Sequence, residues 1–478
     1  MTASIRTPAV LFVELWLRCA RQLPSYISMA QKPNSAFAKN VRAALNLDDG
    51  QKSYDLISNL LSSMDAQVLF GCELVVMDEI DRFFYLIHPR NFNMAGGHFL
   101  ASKVPRWLKN LKIKRLGGVA YACIDSLNLI ARGPLSRLPR ADSASSAVCF
   151  ADRFSALTVV PTHLNLNTVP VKISYQVKGG AADGASPGGS LGSEKVTFIP
   201  VAVKESDLDI TERTHGGNIF VRYGASSSVN VPEKIMSALK GAGFSDIAIA
   251  PELVCSEVDA GRLSDLIKCD AGTHRLLVSG SGFTVDSHNG QHWNETQVVN
   301  GIGTVVWRQR KIWPAGLSRR RALEYNLSDP GAGLSMEDNC SGNEVCVVDL
   351  DGLGRCVILI CQDLEADPLA GDLIRNFQPD WVFAPILDRG IDTGRWVHQR
   401  AFALSALSPA RFIVSCSTAL ADRAKVTGEI ACGMAVGPKD SFGEDEGRVH
   451  ALAYLVDNAD FATLKWREKW RFTLLTST

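Results

Sequence analysis

Three side chains in this sequence stand where apolar runs stop, and their types suit acyl chemistry. Glu252 follows Asp246-Ile247-Ala248-Ile249-Ala250 and Pro251. Lys311 ends a run beginning Thr304-Val305-Val306-Trp307, which the turn Asn300-Gly301-Ile302-Gly303 joins to Val298-Val299 as a hairpin. Cys361 closes Cys356-Val357-Ile358-Leu359-Ile360. A buried strand that stops on a reactive group presents it at the mouth of a sheet. A lone strand-end cysteine is more often packing than chemistry. Here a carboxylate and an amine occupy the same kind of place, and the three together form a candidate catalytic constellation.

The chemistry such a set performs is covalent cleavage of an unreactive carbonyl bond. Cys361 attacks as thiolate, from an unperturbed pKa of about 8.5. Glu252 serves as base, then as acid to the departing amine, then as base to water. Lys311 places an ammonium beside the oxyanion, with the N–H after Cys361 as partner, and its charge favours the thiolate. The elements that must position them read as follows. Pro232–Lys240 is a helix before the Glu252 strand; Val345–Val348 and the Asp351-Gly352 turn form a hairpin into the Cys361 strand. A helix near Leu369–Ile374 and a strand at Trp381–Pro385 come after it.

The steps Pro251-Glu252, Gly303 to Lys311 and Ile360-Cys361-Gln362-Asp363 resemble the nitrilase, or carbon-nitrogen hydrolase, superfamily. Val278-Ser279-Gly280, Ala384-Pro385 and Trp396 with Arg400-Ala401 continue the likeness, which runs from about Val196 to the C-terminus. The resemblance implies an α/β fold whose C-terminal domain is an α-β-β-α sandwich. It implies a hydrolase of a non-peptide C–N bond with a Glu252-Lys311-Cys361 triad, a small amide-type substrate and a homodimer. It also implies a supporting second glutamate in the loop after the lysine, best matched by Glu324. Gln362, Asp363, Pro385 and Trp396 are the substrate-pocket candidates. Amidase is preferred to nitrilase because Gln362-Asp363 stands where true nitrilases tend to carry Trp-Glu. Two readings from other classes remain open: an acyltransferase using the same thioester, and a ligand-sensing or partner-binding protein with a non-catalytic hydrolase domain. The sequence departs from the family where Phe402-Ala403-Leu404-Ser405 follows Ala401, and in the long segment Trp313–Asn343.

Other motifs are thinner. His288 and His292 have ligand spacing but sit with Ser287, Asn289 and Gly290 in a loop without a third ligand, so no metal or other cofactor is expected. Ser279-Gly280-Ser281-Gly282 lacks a P-loop lysine and the Gly-x-Ser-x-Gly elbow. Arg319–Arg321 reads as a solvated run or as a receiver of anionic substrate.

Of the 478 residues, 46% are hydrophobic and 21% charged, as in ordinary globular proteins. The 50 basic and 50 acidic residues cancel, so no overall field recommends nucleic acid or an anionic membrane. Twelve scattered cysteines suit a reducing cytosol, and no apolar run of about 20 residues marks a membrane span. A cytoplasmic enzyme follows. Three parts are expected. Residues 1–160 form a mainly helical region of unassigned function, with helices at Val10–Leu17 and Ile124–Ile130. Its basic segment Trp107–Leu116 either packs on its own domain or docks a partner protein or nucleic acid. Residues 161–195 hold the alternating strand Val169–Val177 and the glycine-rich Lys178–Glu194, a linker or loop leading to a strand at Val196–Val203. Residues 196–478 are the hydrolase domain.

Overall fold

A computed structural model describes residues 6–22, 24–88, 104–133, 150–179, 184–185, 193–285, 290–408, 410–438, 448–455, 459–466 and 472–474. The chain divides into two compact units. The first comprises residues 1–163 with the short pieces 175–177 and 376–378; the second comprises the remainder.

In the first unit the helices are α1 (Pro8–Cys19), α2 (Pro24–Ser28), α3 (Ser35–Leu45), α4 (Gly50–Ser62), α5 (Ala66–Tyr85) and α6 (Arg106–Leu116). Side chains start two of them: Asn34 accepts from Phe37 N at α3, and Asp49 accepts from Gln51 N and Lys52 N at α4. Phe12, Ile57, Met77, Ile80, Phe84, Leu108 and Phe154 fill the core. The basic helix α6 packs Trp107, Leu108 and Leu111 into this core and leaves Ile113 outside.

A small antiparallel sheet, β1 (Ala122–Ile124), β2 (Leu127–Ala131) and β3 (Leu157–Pro161), completes this unit. The helix expected over Ile124–Ile130 is therefore a hairpin. Ile124 pairs with Leu127 across a two-residue turn in which Asp125 takes φ 52°. Asp81 on α5 is buried, and its carboxylate accepts from Ser155 N, Ser155 Oγ, Ala156 N and Leu157 N. That set ties α5 to the start of β3.

The second unit is a mixed α/β body. Its eight-stranded sheet contains β4 (His163–Leu166), β5 (Val169–Lys178), β15 (Glu344–Leu350), β16 (Gly354–Ile358), β17 (Trp381–Leu387), β18 (Arg411–Ser417), β19 (Ala431–Pro438) and β20 (Arg448–Tyr454). Its seven-stranded sheet is ordered β12 (Val305–Arg310), β11 (His292–Asn300), β10 (His274–Val285), β9 (Ser245–Ile249), β6 (Lys195–Phe198), β21 (Ala462–Trp466) and β22 (Phe472–Leu474). A four-stranded sheet joins β13 (Gly316–Leu317), β14 (Ser335–Glu337), β8 (Asn218–Ala225) and β7 (Leu208–His215). Ser415 Oγ of β18 donates to Ile249 O of β9 at 3.3 Å, a contact between the two large sheets. The helices α7 (Val231–Ala242) and α8 (Glu257–Cys269) lay Ile235, Leu239, Leu263 and Ile267 into a core shared with Ala248 and Leu277.

The strand 169–177 thus lies in the eight-stranded sheet; residues 164–174 belong to the second unit, which begins before residue 196, and 175–177 to the first. The strand expected at 196–203 is β6 in the other sheet, where it pairs parallel with β9 and antiparallel with β21. Most of the glycine-rich segment Lys178–Glu194 falls outside the described residues, as does His288.

Where β10 begins, His274 is buried, and desolvation pushes its pKa from 6.5 down to about 4. A depressed histidine favours folding above the unfolded pKa, and that contribution is lost as pH falls through the folded value. Lowering pH from 6.5 towards 4 should cost about 3 kcal/mol from this group alone. His274→Leu should flatten that part of the stability profile, measured as denaturant midpoints against pH.

Candidate active site

Glu252 is carried past the end of β9. The chain continues its pairing through Ala250 N to Val278 O, then turns so that Pro251 O accepts from Ser281 N. That close passage explains the glycine-rich stretch of β10. Gly280 takes φ 81° at a bulge, and a Cβ there would stand 2.4 Å from Pro251 O. Lys311 leaves the β11–β12 hairpin with its N–H on Asn294 O, 2.8 Å. Asn300 Oδ1 fixes the turn of that hairpin by accepting from Ile302 N and Thr304 N.

Cys361 follows β16 after Leu359, whose N–H still reaches Phe383 O at 3.0 Å. At Cys361 φ is +48°, a left-handed conformation costing roughly 1–2 kcal/mol outside glycine. Such strain clusters at functional sites.

The structure brings these three side chains together, and all are buried: Cys361 is 7%, Glu252 1% and Lys311 1% exposed. Lys311 Nζ donates to Glu252 Oε1 at 2.6 Å and also to Glu337 Oε2. Asn294 Nδ2 bridges the same two carboxylates, 2.9 Å to Glu252 Oε1 and 2.8 Å to Glu337 Oε1. Glu337 receives two more donors, Ala315 N on Oε2 at 2.9 Å and Asn339 Nδ2 on Oε1 at 3.0 Å. Each of its oxygens then has two donors. Glu252 differs. Its Oε1 accepts from Lys311 and Asn294 and its Oε2 from Leu387 N at 3.1 Å, and the Cys361 thiol lies beside this carboxylate.

The electrostatics correct one expectation. Burial pushes the Cys361 thiol well above its ordinary value, Glu252 raises it further, and Lys311 only partly opposes them. The charge of Lys311 is shared with two carboxylates, which is why it offsets only part of that rise. Burial raises Glu252 too, against Lys311. Burial alone would lower Lys311, but Glu252 and Glu337 reverse this and keep it an ammonium.

The glutamate beside Lys311 is Glu337, where the sequence pointed to Glu324. Glu324 ends the short helix α9 (Arg319–Glu324) and pairs with Arg389. Glu337 arrives because β14 pairs with β8, Glu337 opposite Val221. Glu337 and Asn294 are the site residues the sequence reading missed. For Asn294 a signal existed: it lies in the hairpin strand opposite the Lys311 strand, where Glu295 pairs with Arg310.

Asp363, expected in a substrate pocket, is instead turned onto backbone. Its oxygens accept from Ile312 N, Trp313 N and Ile360 N. Burial pushes it up to about 7, while Lys311 and those N–H groups pull it down. Gln362 Nε2 reaches Glu365 at 2.6 Å, and Pro385 is buried in β17 opposite Ser415. Trp396 Nε1 donates to Asp388 Oδ2 at 2.7 Å, beside Tyr325 OH on Oδ1 at 2.7 Å. In the arginine run, Arg319 forms a surface pair with Asp329, and Arg321 stands 3.9 Å from Asp388.

No family model matches this sequence, and no curated protein matches it. Solved structures do. Nit3 of Saccharomyces cerevisiae, a member of branch 10 of the nitrilase superfamily, is 13% identical over 60% of this chain and 89% of its own, with TM-score 0.32. An amidase from Nesterenkonia sp. is 14% identical over 55% and 92%, TM-score 0.34. A CN-hydrolase superfamily protein of Xanthomonas campestris is 14% identical over 54% and 90%, TM-score 0.33. The structures this chain is similar to are nitrilase-superfamily proteins.

Proposed function

We propose that the second unit, which we read as an α-β-β-α sandwich, hydrolyses a non-peptide C–N bond of amide type through a thioester on Cys361. The observation that carries this reading is the shared box in which Lys311 Nζ and Asn294 Nδ2 each bridge Glu252 and Glu337, with the buried Cys361 thiol beside the Glu252 carboxylate.

With a neutral resting thiol, proton transfer accompanies attack. The S–H proton passes to the Glu252 carboxylate as sulfur bonds to the carbonyl carbon, and the carbonyl π electrons move to oxygen. Lys311 stabilises that oxyanion at no cost in reorganisation, since Glu337 and Glu252 already fix its ammonium. Glu252 returns the proton to nitrogen as the C–N bond breaks and the amine leaves. Water then attacks the thioester, gives its proton to Glu252, and the carboxylic acid departs as that proton returns to sulfur. Glu337 takes no part in these proton transfers and holds Lys311 in place.

Ammonia release from a panel of small primary amides, with and without added hydroxylamine, tests the reading. Carboxylic acid as main product supports hydrolysis. Hydroxamate forming much faster than acid would make the protein an acyltransferase, and binding of amides with no release would leave a ligand sensor. Amide over nitrile, homodimerisation and a cytosolic setting belong to the same proposal. Among the described residues no helix is long and apolar enough to cross a membrane.

A further inference from the structure

Besides the groups assigned above, one buried carboxylate touches the backbone of both reactive loops. Asp363 is 1% exposed. Its Oδ1 accepts from Ile312 N at 3.0 Å and Trp313 N at 2.8 Å, the two residues after Lys311. Its Oδ2 accepts from Ile360 N at 3.1 Å, the residue before Cys361, and Asp363 N donates back to Ile360 O at 3.0 Å. These two loops come from different sheets, since Lys311 follows the seven-stranded one and Cys361 the eight-stranded one. Within Lys311 itself the backbone is held on the other side by Asn294 O and Gly342 N.

We propose that Asp363 is a positioning residue, whose carboxylate clasps the lysine loop to the nucleophile loop and so sets the place at which thiol and ammonium meet one carbonyl group. The inference rests on the catalytic reading above. It accounts for two observations that reading leaves aside: a full set of donors on a carboxylate that faces no other side chain's hydrogen, and a nucleophile kept at φ +48°. Ile360 N pins the residue immediately before that strained position. Without this anchor the chain can relax toward an ordinary conformation and swing the sulfur away from the Glu252 carboxylate.

The test uses the full chain and a primary amide that acylates the wild type. Asp363→Asn preserves volume but turns an N–H group toward backbone donors. A misplacement on the order of 1 Å costs about a hundredfold in rate, so kcat should fall by about that factor with KM changed by less than about threefold. Trp313→Pro deletes one clasping N–H while its side chain, 36% exposed, contributes little to the core. It should lower kcat by about tenfold, again with KM kept, and it carries the test if Asp363→Asn does not fold. In both variants alkylation of Cys361 by iodoacetamide should slow in parallel with kcat. Folded variants with wild-type kcat, or losses confined to KM, would overturn the positioning role. A wild type that no amide acylates would instead overturn the catalytic reading beneath it.

Discussion

Cys361→Ala should abolish turnover, by roughly four orders of magnitude or more, while the protein stays folded. The expectation follows from the box itself. Removing sulfur removes the only group that can form the thioester, and Glu252 with Lys311 alone has no nucleophile to activate. Folding should survive because Ala fits wherever the thiol fits, and loss of a buried thiol beside two carboxylates takes away no ionic partner. Circular dichroism and a thermal melt, read beside ammonia release, separate the two effects. Retained hydrolysis in purified Cys361→Ala protein would sink the assignment of the nucleophile.

Lys311→Met should lose both activity and stability, and the two losses can be told apart. Its ammonium is the cation shared by Glu252 and Glu337, with side chains 0%, 2% and 5% exposed. Removing one partner of a buried ion pair strands the others and costs about 3–5 kcal/mol. The same change removes the oxyanion's charge partner, worth about a hundred- to a thousandfold in kcat. Adding Glu337→Gln to Lys311→Met should restore part of the stability, because one stranded anion is gone, yet recover no activity. The two substitutions should therefore be non-additive in the melt, as expected for groups in one network. Additive destabilisation would show that Glu337 and Lys311 do not act as a pair.

What the sequence revealed and what it hid have physical causes. Glu252, Lys311 and Cys361 were legible because each ends a β-branched, apolar run punctuated by proline, asparagine or glycine, and such runs announce buried strands wherever they pair. Glu337 was hidden because β14 is only three residues long and is made a strand by pairing with β8, over a hundred residues earlier. Glu324 was the match that the resemblance offered in the loop after the lysine, and nothing local says that Arg389 takes it. The Ile124–Ile130 segment misled because a seven-residue apolar pattern suits either helix or hairpin, and its turn, Asp125-Ser126, carries no glycine. The strand at 169–177 was readable from its alternation, but its sheet was not, since the next strand in sequence, β6, lies in the other sheet. Nor could charge be read from order. A lysine near a cysteine suggests a thiolate until its two carboxylate partners are in place.

The central claim is a covalent acyl enzyme on Cys361, and intact-mass measurement after acid quench of the full chain with small primary amides tests it most directly. The account predicts a mass increase equal to the acyl group in place of one hydrogen. Peptide mapping should locate it on Cys361 among the twelve cysteines, and it should be absent from Cys361→Ala. Wild-type turnover that yields neither an adduct at any quench time nor hydroxamate when hydroxylamine is added, or an adduct on another cysteine, would contradict it.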